Sequence, residues 1–534
     1  DENDGSENMP LKTINKAKEK VRQIISRGMT GDIEVVLSGG TYAENVTFTE
    51  ADSGLGHYKV IYKNKDGEKP VVYGGSVVSG WEKYTDDIYK THIGKEEFHV
   101  LTENGELSTK ARFPNDDYAL VTENAANVAT SFYFDKGLNA PNVKDKNNLE
   151  VYMWGGGGIA WAANIKKCEK YDPKTGYVEM DSAGSYNMTV NSRFYLQGAL
   201  EFIDKPGEFY YDKKNGDLYY YPKNLPIEDQ EIAIPAKHNF IEFLGESEDK
   251  PIRNIKITGI ELNTCDRDCY GIYMHSARNI EIDSVRLLNI GGIGINMSYY
   301  NYANRIVNCE IGNIGYNGIT MSNLDTSDLT TTMYGKFNEV KNCEIYSVGR
   351  VIGDGSGINI ATGYNTVQNC LIRDGHRMGI SVGSSRPGTI IGKVVDGITL
   401  DRSNVRLATH SQNNAFMFCD IYDVMNDSQD GGAIYSWGGD EGNIVAYNHI
   451  HDTMTPFSEG FGIYLDDAAD VFTVKNNIVD NMWREGFGGK TMASIFAKGI
   501  KHTIDNNFVV ESPKNMYACM TESMVGEPCY EQSW

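Results

Sequence analysis

From about Asn239 onward, short apolar phrases with period-two alternation recur roughly every 24 to 30 residues, a spacing that signals a solenoid of stacked sheet. One set runs Gly271-Ile-Tyr-Met, Gly294-Ile-Asn-Met, Gly318-Ile-Thr-Met, Gly357-Ile-Asn-Ile, Gly379-Ile-Ser-Val, Ala433-Ile-Tyr-Ser and Gly462-Ile-Tyr-Leu. Alternation turns each Ile and the residue two later inward, leaving Asn359, Ser381, Tyr435 and Tyr464 outward, with Trp437 and Asp466 beyond them. A second set places Cys309 with Ile311, Cys343 with Ile345, Cys370 with Ile372 and Cys419 with Ile421. It continues as Asn448 with Ile450, Asn476 with Ile478 and Asn506 with Phe508. Two strand columns per repeat are therefore expected, with cysteine acting as a small buried apolar residue. A local bridge is a competing reading only for Cys265 and Cys269.

Upstream, residues from about Leu11 to Arg27 carry helical periodicity and suit a helix capping the end of the sheet. Strand-like phrases follow at Ile33, Gly40, Val46, Val60 and Val71. From about Trp81 to Pro235 the repeat is lost and longer alternating, aromatic-rich stretches appear. The expected fold is all-β: a right-handed parallel β-helix with an N-terminal capping helix and an inserted β-sandwich-like domain. The expected division is 9–80 for the cap and first coils, 81–235 for the insert and 236–534 for the main helix. Trp154 and the four glycines after it lack the helix and Lys of a phosphate-binding loop and read as a mobile surface loop. Two repeats are overlong, near 323–337 and 384–412, and should wall a groove over the outward face.

The chain has 534 residues and a formal net charge of −23 at pH 7. That balance disfavours nucleic acid or an anionic membrane and suits a neutral or weakly charged ligand. Fifty-six glycines and thirty-three tyrosines fit a turn-rich β chain. No apolar run approaches the length needed to span a bilayer, so a soluble chain is expected.

The chemistry concentrates in a repeated acidic phrase: Asp354-Gly-Ser-Gly, Asp430-Gly-Gly-Ala, Glu459-Gly-Phe-Gly and Glu485-Gly-Phe-Gly. Stacked neighbours in a column sit about 4.8 Å apart, close enough for Asp430 and Glu459 to repel and separate their pKa values. Such a pair serves as acid and nucleophile at the short spacing of retaining glycosidases. Pairing Asp430 with Asp466 in another column would favour inversion. Asp354 and Glu485 read as turn carboxylates. Tyr435, Trp437, Tyr464, Asp467 and Asp440 are candidate substrate contacts, aromatic faces beside carboxylates being suited to sugars. His376 is the expected column neighbour of Asp430, placed to orient it. His449 and His451 read as structural. No cofactor is expected apart from a structural calcium, for which carboxylates on adjacent coils offer oxygen ligands. No EF-hand or His/Cys zinc spacing occurs.

Gly39-Gly-Thr-Tyr-Ala-Glu-Asn-Val, Ala111-Arg-Phe-Pro-Asn, Lys205-Pro-Gly-Glu-Phe-Tyr-Tyr-Asp, Asp430-Gly-Gly-Ala-Ile-Tyr-Ser, Asn448-His-Ile-His-Asp and Gly462-Ile-Tyr-Leu-Asp-Asp resemble the right-handed parallel β-helix glycoside hydrolases. The resemblance is to glycoside hydrolase families 141 (α-L-fucosidase and xylanase activities) and 120 (β-xylosidases, whose helix is also interrupted by a β-sandwich). It implies two working carboxylates from neighbouring coils, here Asp430 with Glu459 or Asp466. It also implies an oligo- or polysaccharide substrate from plant or host glycans, and a secreted or cell-surface bacterial enzyme. A polysaccharide lyase using Arg377, Arg386, Lys393 or Arg402 is the competing enzyme class, and a non-catalytic glycan-binding β-helix the competing binding module.

Overall fold

The computed structural model describes residues 3–324, 328–383, 385–453, 455, 457, 459–482, 491–510 and 516–522. Glu485 lies outside the described residues. Three parallel sheets wind around one apolar interior. The first runs from Ile33–Leu37 to Thr503–Asp505, the second from Gly40–Tyr42 to Phe508–Val509, and the third from Val46–Thr49 to Met516–Thr521. The expectation of two columns therefore falls one short. After its first three strands the additional column consists of three-residue strands such as Glu281–Asp283, Arg305–Val307 and Thr366–Gln368. Each presents a single inward residue, too short a phrase for alternation to register.

The third sheet keeps Ile272, Ile295, Ile319, Ile358, Ile380, Ile434 and Ile463 in one register, all buried. A glycine precedes each of these except Ile434, which follows Ala433, and the glycine has a steric cause. A Cβ on Gly294 would stand 2.5 Å from the Gly318 carbonyl oxygen, and one on Gly318 the same distance from that of Gly357.

At the corner before the second sheet, Cys309, Cys343, Cys370 and Cys419 stack as buried free thiols, and Cys265 and Cys269 are free as well. The ladder then passes to Asn448, Asn477 and Asn507, each side-chain oxygen accepting from the backbone N–H of the residue one coil earlier. Asn476 and Asn506, the positions expected from sequence, stand one residue off. Both adopt left-handed φ, +56° and +51°, and they pair with each other on the exposed side. In each Asn-Asn doublet the first residue makes the turn and the second satisfies the buried backbone. A longer asparagine ladder, Asn304, Asn338, Asn365, Asn414 and Asn443, does the same at the corner before the first sheet.

Helix Ile14–Ile25 begins at Thr13, whose hydroxyl accepts from Lys16 N, and buries Ile14 and Val21 against the first coil. Arg22 grips the fully buried Asp52 with contacts of 2.7 and 2.8 Å. Between Pro70–Tyr73 and Ile241–Leu244, where the second coil should turn from second to third sheet, the chain leaves to form two largely antiparallel sheets of eight and seven strands. Their outermost members, Ser76–Val77 and Ile232–Ile234, pair with each other. The excursion thus starts about Ser76 rather than Trp81, because its first strand is a two-residue piece with no apolar alternation. The Gly155–Gly158 stretch, expected as a mobile surface loop, leads from a Trp154 with no exposure into a segment packed on the helix. The Ala160 carbonyl accepts from Ser428 Oγ and Gln429 N.

Both overlong repeats follow third-sheet strands and pack together. Asp396 accepts from Thr330 and Thr331, and Ile390, Val395, Leu400, Val405 and Ala408 form their own small core.

Candidate active site

The outward face of the third sheet between strands Ile380–Gly383, Gly432–Trp437, Glu459–Leu465 and Thr491–Ala497 carries the chemistry. Register stacks Ser381, Tyr435, Tyr464 and Phe496. Asp430, just before its strand, has left-handed φ (+52°) and donates its N–H to the Glu459 carbonyl at 2.9 Å, so the two acidic phrases are column neighbours. Asp466 follows the end of the next strand.

Asp466 is 6% exposed and fully engaged. Its Oδ2 accepts from Tyr435 Oη at 2.9 Å, and its Oδ1 from Tyr464 Oη at 2.8 Å and from Lys498 Nζ at 2.8 Å. Lys498 also lies 3.5 Å from Asp467, whose other oxygen is 3.1 Å from Arg386. Arg386 in turn covers the Trp437 ring at 5.0 Å, and Trp437 is 37% exposed.

Asp430 has the opposite character. Burial first, then the charges of Asp466 and Glu459, push its carboxyl up to about 6, opposed by Lys498 and by the nearby Tyr464 hydroxyl. The Tyr464 hydroxyl gives its proton to Asp466. The Glu459 side chain is half-buried.

Asp354, expected as a turn carboxylate, lines the same groove. Its Oδ2 accepts from Ala163 N of the 76–234 region at 3.2 Å, its buried Oδ1 has no hydrogen-bond partner, and burial raises its pKa. Arg377 faces Asp354, Tyr435, Tyr316 and Asp430, and burial depresses its pKa.

Two expected contacts are corrected. His376 is not the neighbour of Asp430: the turn that leads to Asp430 is longer than the one through His376, whose carbonyl accepts from Asp427 N. Its ring lies 3.4 Å from Arg350, and burial lowers its pKa. It lines a cleft of about 510 Å³ between the 76–234 region and the helix, with Arg112, Tyr118, Arg350 and Asp427. Asp427 there is committed to Arg193 at 2.7 Å and to Tyr118, so this cleft is an interface without a free carboxylate pair. Asp440 does not touch the groove. It is 1% exposed, bonded to Arg406 at 2.5 Å and Thr409 at 2.6 Å, and it anchors the wall. A carboxylate in a Gly-rich turn looks solvated in sequence, and only the fold brings Arg406 onto it.

Lys498 and Tyr316 were not legible as site residues. Lys498 had one available signal: Leu465 pairs with Ala497, so Lys498 follows Asp466 by one coil.

Two family models match the chain. One described as the GH141 insertion domain covers residues 184–223, and one described as a right handed beta helix region covers residues 330–515. Among solved structures, one titled "Glycoside hydrolase" superposes with a TM-score of 0.75 at 17% identity, covering 97% of this chain and 94% of that one. The fold is that of a β-helix glycoside hydrolase. A structure of XylC with xylose aligns more loosely, with a TM-score of 0.47 at 12% identity over 92% of this chain and 68% of that one. No curated protein matches in sequence. Among the described residues, no helix is long and apolar enough to cross a membrane.

Proposed function

We propose that the groove is the active site of a glycosidase, with Asp430 as proton donor and Asp466 as its partner carboxylate. The observation that carries this reading is the contrast in their surroundings. Burial and the charges of Asp466 and Glu459 push Asp430 up to about 6, whereas Asp466 accepts from Tyr435, Tyr464 and Lys498. Environments that drive two carboxyl groups apart define an acid and a nucleophile or base.

In the first step Asp430 gives its proton to the glycosidic oxygen as that bond breaks, and an Asp466 oxygen bonds the anomeric carbon. In the second step Asp430 takes a proton from water, which attacks the same carbon and releases Asp466. This two-step displacement retains configuration and requires the two carboxyl groups to stand about 5–5.5 Å apart. Tyr435 and Lys498 hold Asp466 in place, and the exposed Trp437 offers a flat apolar face for a sugar ring.

The substrate reading is a neutral xyloside or fucoside of plant or host glycans. Five carboxyl groups, Asp354, Asp430, Glu459, Asp466 and Asp467, face three cations, Arg377, Arg386 and Lys498, a balance that disfavours a uronate polymer. The same facts weaken the lyase reading, because Lys498 has its pKa raised by Asp466 and cannot readily act as a base. A second assignment keeps Glu459 in place of Asp466, since it is the column neighbour of Asp430. We further assign helix Ile14–Ile25 as the N-terminal cap, residues from about 76 to 234 as an inserted domain and the remainder as the main helix, and place the enzyme outside a bacterial cell.

Turnover of aryl glycosides of xylose, fucose, galactose and arabinose tests this reading. Asp430→Asn should lose far more on a poor leaving group than on dinitrophenyl, Asp466→Asn should lose both, and Glu459→Gln should retain most activity. Near wild-type turnover in Asp430→Asn rejects the assignment, and an inactive Glu459→Gln beside an active Asp466→Asn selects the second one.

A further inference from the structure

The outward face of the second sheet carries a cluster that the groove chemistry does not use. Strand His449–His451 buries Ile450 and turns both imidazoles outward, their ring centroids 4.2 Å apart at 25°. Asp420 is the register partner of His449 on the preceding coil, and Asp480 that of His451 on the following coil. One nitrogen of each ring converges on a single oxygen: Asp420 Oδ1 lies 3.4 Å from His449 Nδ1 and 3.0 Å from His451 Nε2. The three ligand atoms lie within 4.8 Å of one another. The other nitrogen of each ring meets a separate carboxylate, His449 Nε2 at 3.1 Å from Asp480 and His451 Nδ1 at 2.6 Å from Asp452.

A neutral imidazole has one N–H and one lone pair. With the N–H of each ring turned to its outer carboxylate, two nitrogen lone pairs and a carboxylate oxygen face one point, where a cation fits. The carboxylate–histidine pairing behind each ligand nitrogen is the outer-shell arrangement of metal-binding histidines, raising ligand basicity and locking ring orientation.

We infer that Asp420, His449 and His451 form a binding site for a divalent first-row transition metal of the zinc class, with Asp480 and Asp452 as supporting carboxylates. Imidazole nitrogen selects such borderline metals over calcium, which takes oxygen ligands. Ligand atoms 3.0 and 3.4 Å apart suit metal–ligand bonds of about 2.0–2.2 Å in tetrahedral geometry. Asp420 and His449 are about half exposed, so water completes the coordination. The site ties two successive coils together on a sheet other than the one that carries the groove, so its role is structural. The His-x-His phrase was visible in sequence. Its carboxylates belong to neighbouring coils and emerge only from the register.

The test is titration of the chelator-treated, desalted full chain with zinc chloride, followed calorimetrically and by thermal unfolding, with metal analysis after desalting. One zinc per chain and a raised Tm are expected, with no response to calcium chloride at the same concentration. Asp420→Asn and the double variant His449→Gln/His451→Gln should abolish the stoichiometric binding, and Asp480→Asn should weaken it about 10- to 100-fold. Absence of stoichiometric zinc in the wild type, or equal zinc in a folded Asp420→Asn variant and in the wild type, overturns the inference. Because the readout is binding, the result is independent of whether the groove is a glycosidase.

Discussion

Lys498 sets its ammonium 2.8 Å from the Asp466 carboxylate, one coil on from it, and the same cation lowers the pKa of Asp430. One side chain thus acts on both carboxyl groups of the proposed pair.

Lys498→Met should lower kcat by about 10- to 100-fold, since Asp466 keeps its burial and loses its cation. The ionisation of Asp430 should move further up, carrying the alkaline limb of the pH–rate profile with it. Lys498→Arg should restore part of the rate. A profile unmoved in Lys498→Met would disconnect the lysine from the pair.

Asp430→Asn should reduce kcat by about 10²- to 10⁴-fold and abolish the alkaline limb near pH 6. It should also stabilise the protein. The folded pKa of about 6 exceeds the ordinary 3.8, so the folded state holds this proton more tightly between the two. The associated stability is fully present below about pH 4 and is lost as pH rises through 6, a cost on the order of 2–3 kcal/mol at pH 8. Melting curves of the two proteins should therefore converge at pH 4, with the Asn variant higher at pH 8.

The first-formed product should keep the anomeric configuration of the substrate, as a two-step displacement through Asp466 requires. Proton NMR of the fresh hydrolysate reads this directly. An inverted product would require a water between acid and base and would rule out the covalent step through Asp466.

Asp440→Asn should leave KM unchanged and lower Tm, since Asp440 bonds Arg406 and Thr409 in the wall rather than substrate. Breaking one side of a buried ion pair costs about 3–5 kcal/mol. A raised KM with an unaltered Tm would return Asp440 to the groove.

Cys370→Asp should prevent folding or cost several kcal/mol, because a carboxylate would replace a thiol 2% exposed in a close-packed column. Asn414→Leu should cost about 1–3 kcal/mol, because it leaves the Asn365 N–H buried without an acceptor. Urea unfolding of both variants reads these losses.

The sequence alone determined the stacked-sheet architecture, the inward isoleucines and the buried thiols, because side-chain alternation and a fixed repeat length are local properties of the chain. It also marked Asp430 and Glu459 as neighbours, since both stand the same number of residues before their strands. Where the count between two landmarks varied, it failed. The longer turn before Asp430 set Asp427 rather than Asp430 beside His376, and the Asn-Asn doublets shifted the ladder by one residue. Tertiary structure alone decided what surrounds each charge. Arg406 reaches Asp440 across 34 residues and Ala163 reaches Asp354 across 191. The burial that raises the Asp430 carboxyl depends on side chains from several coils, and no local pattern encodes which of them meet.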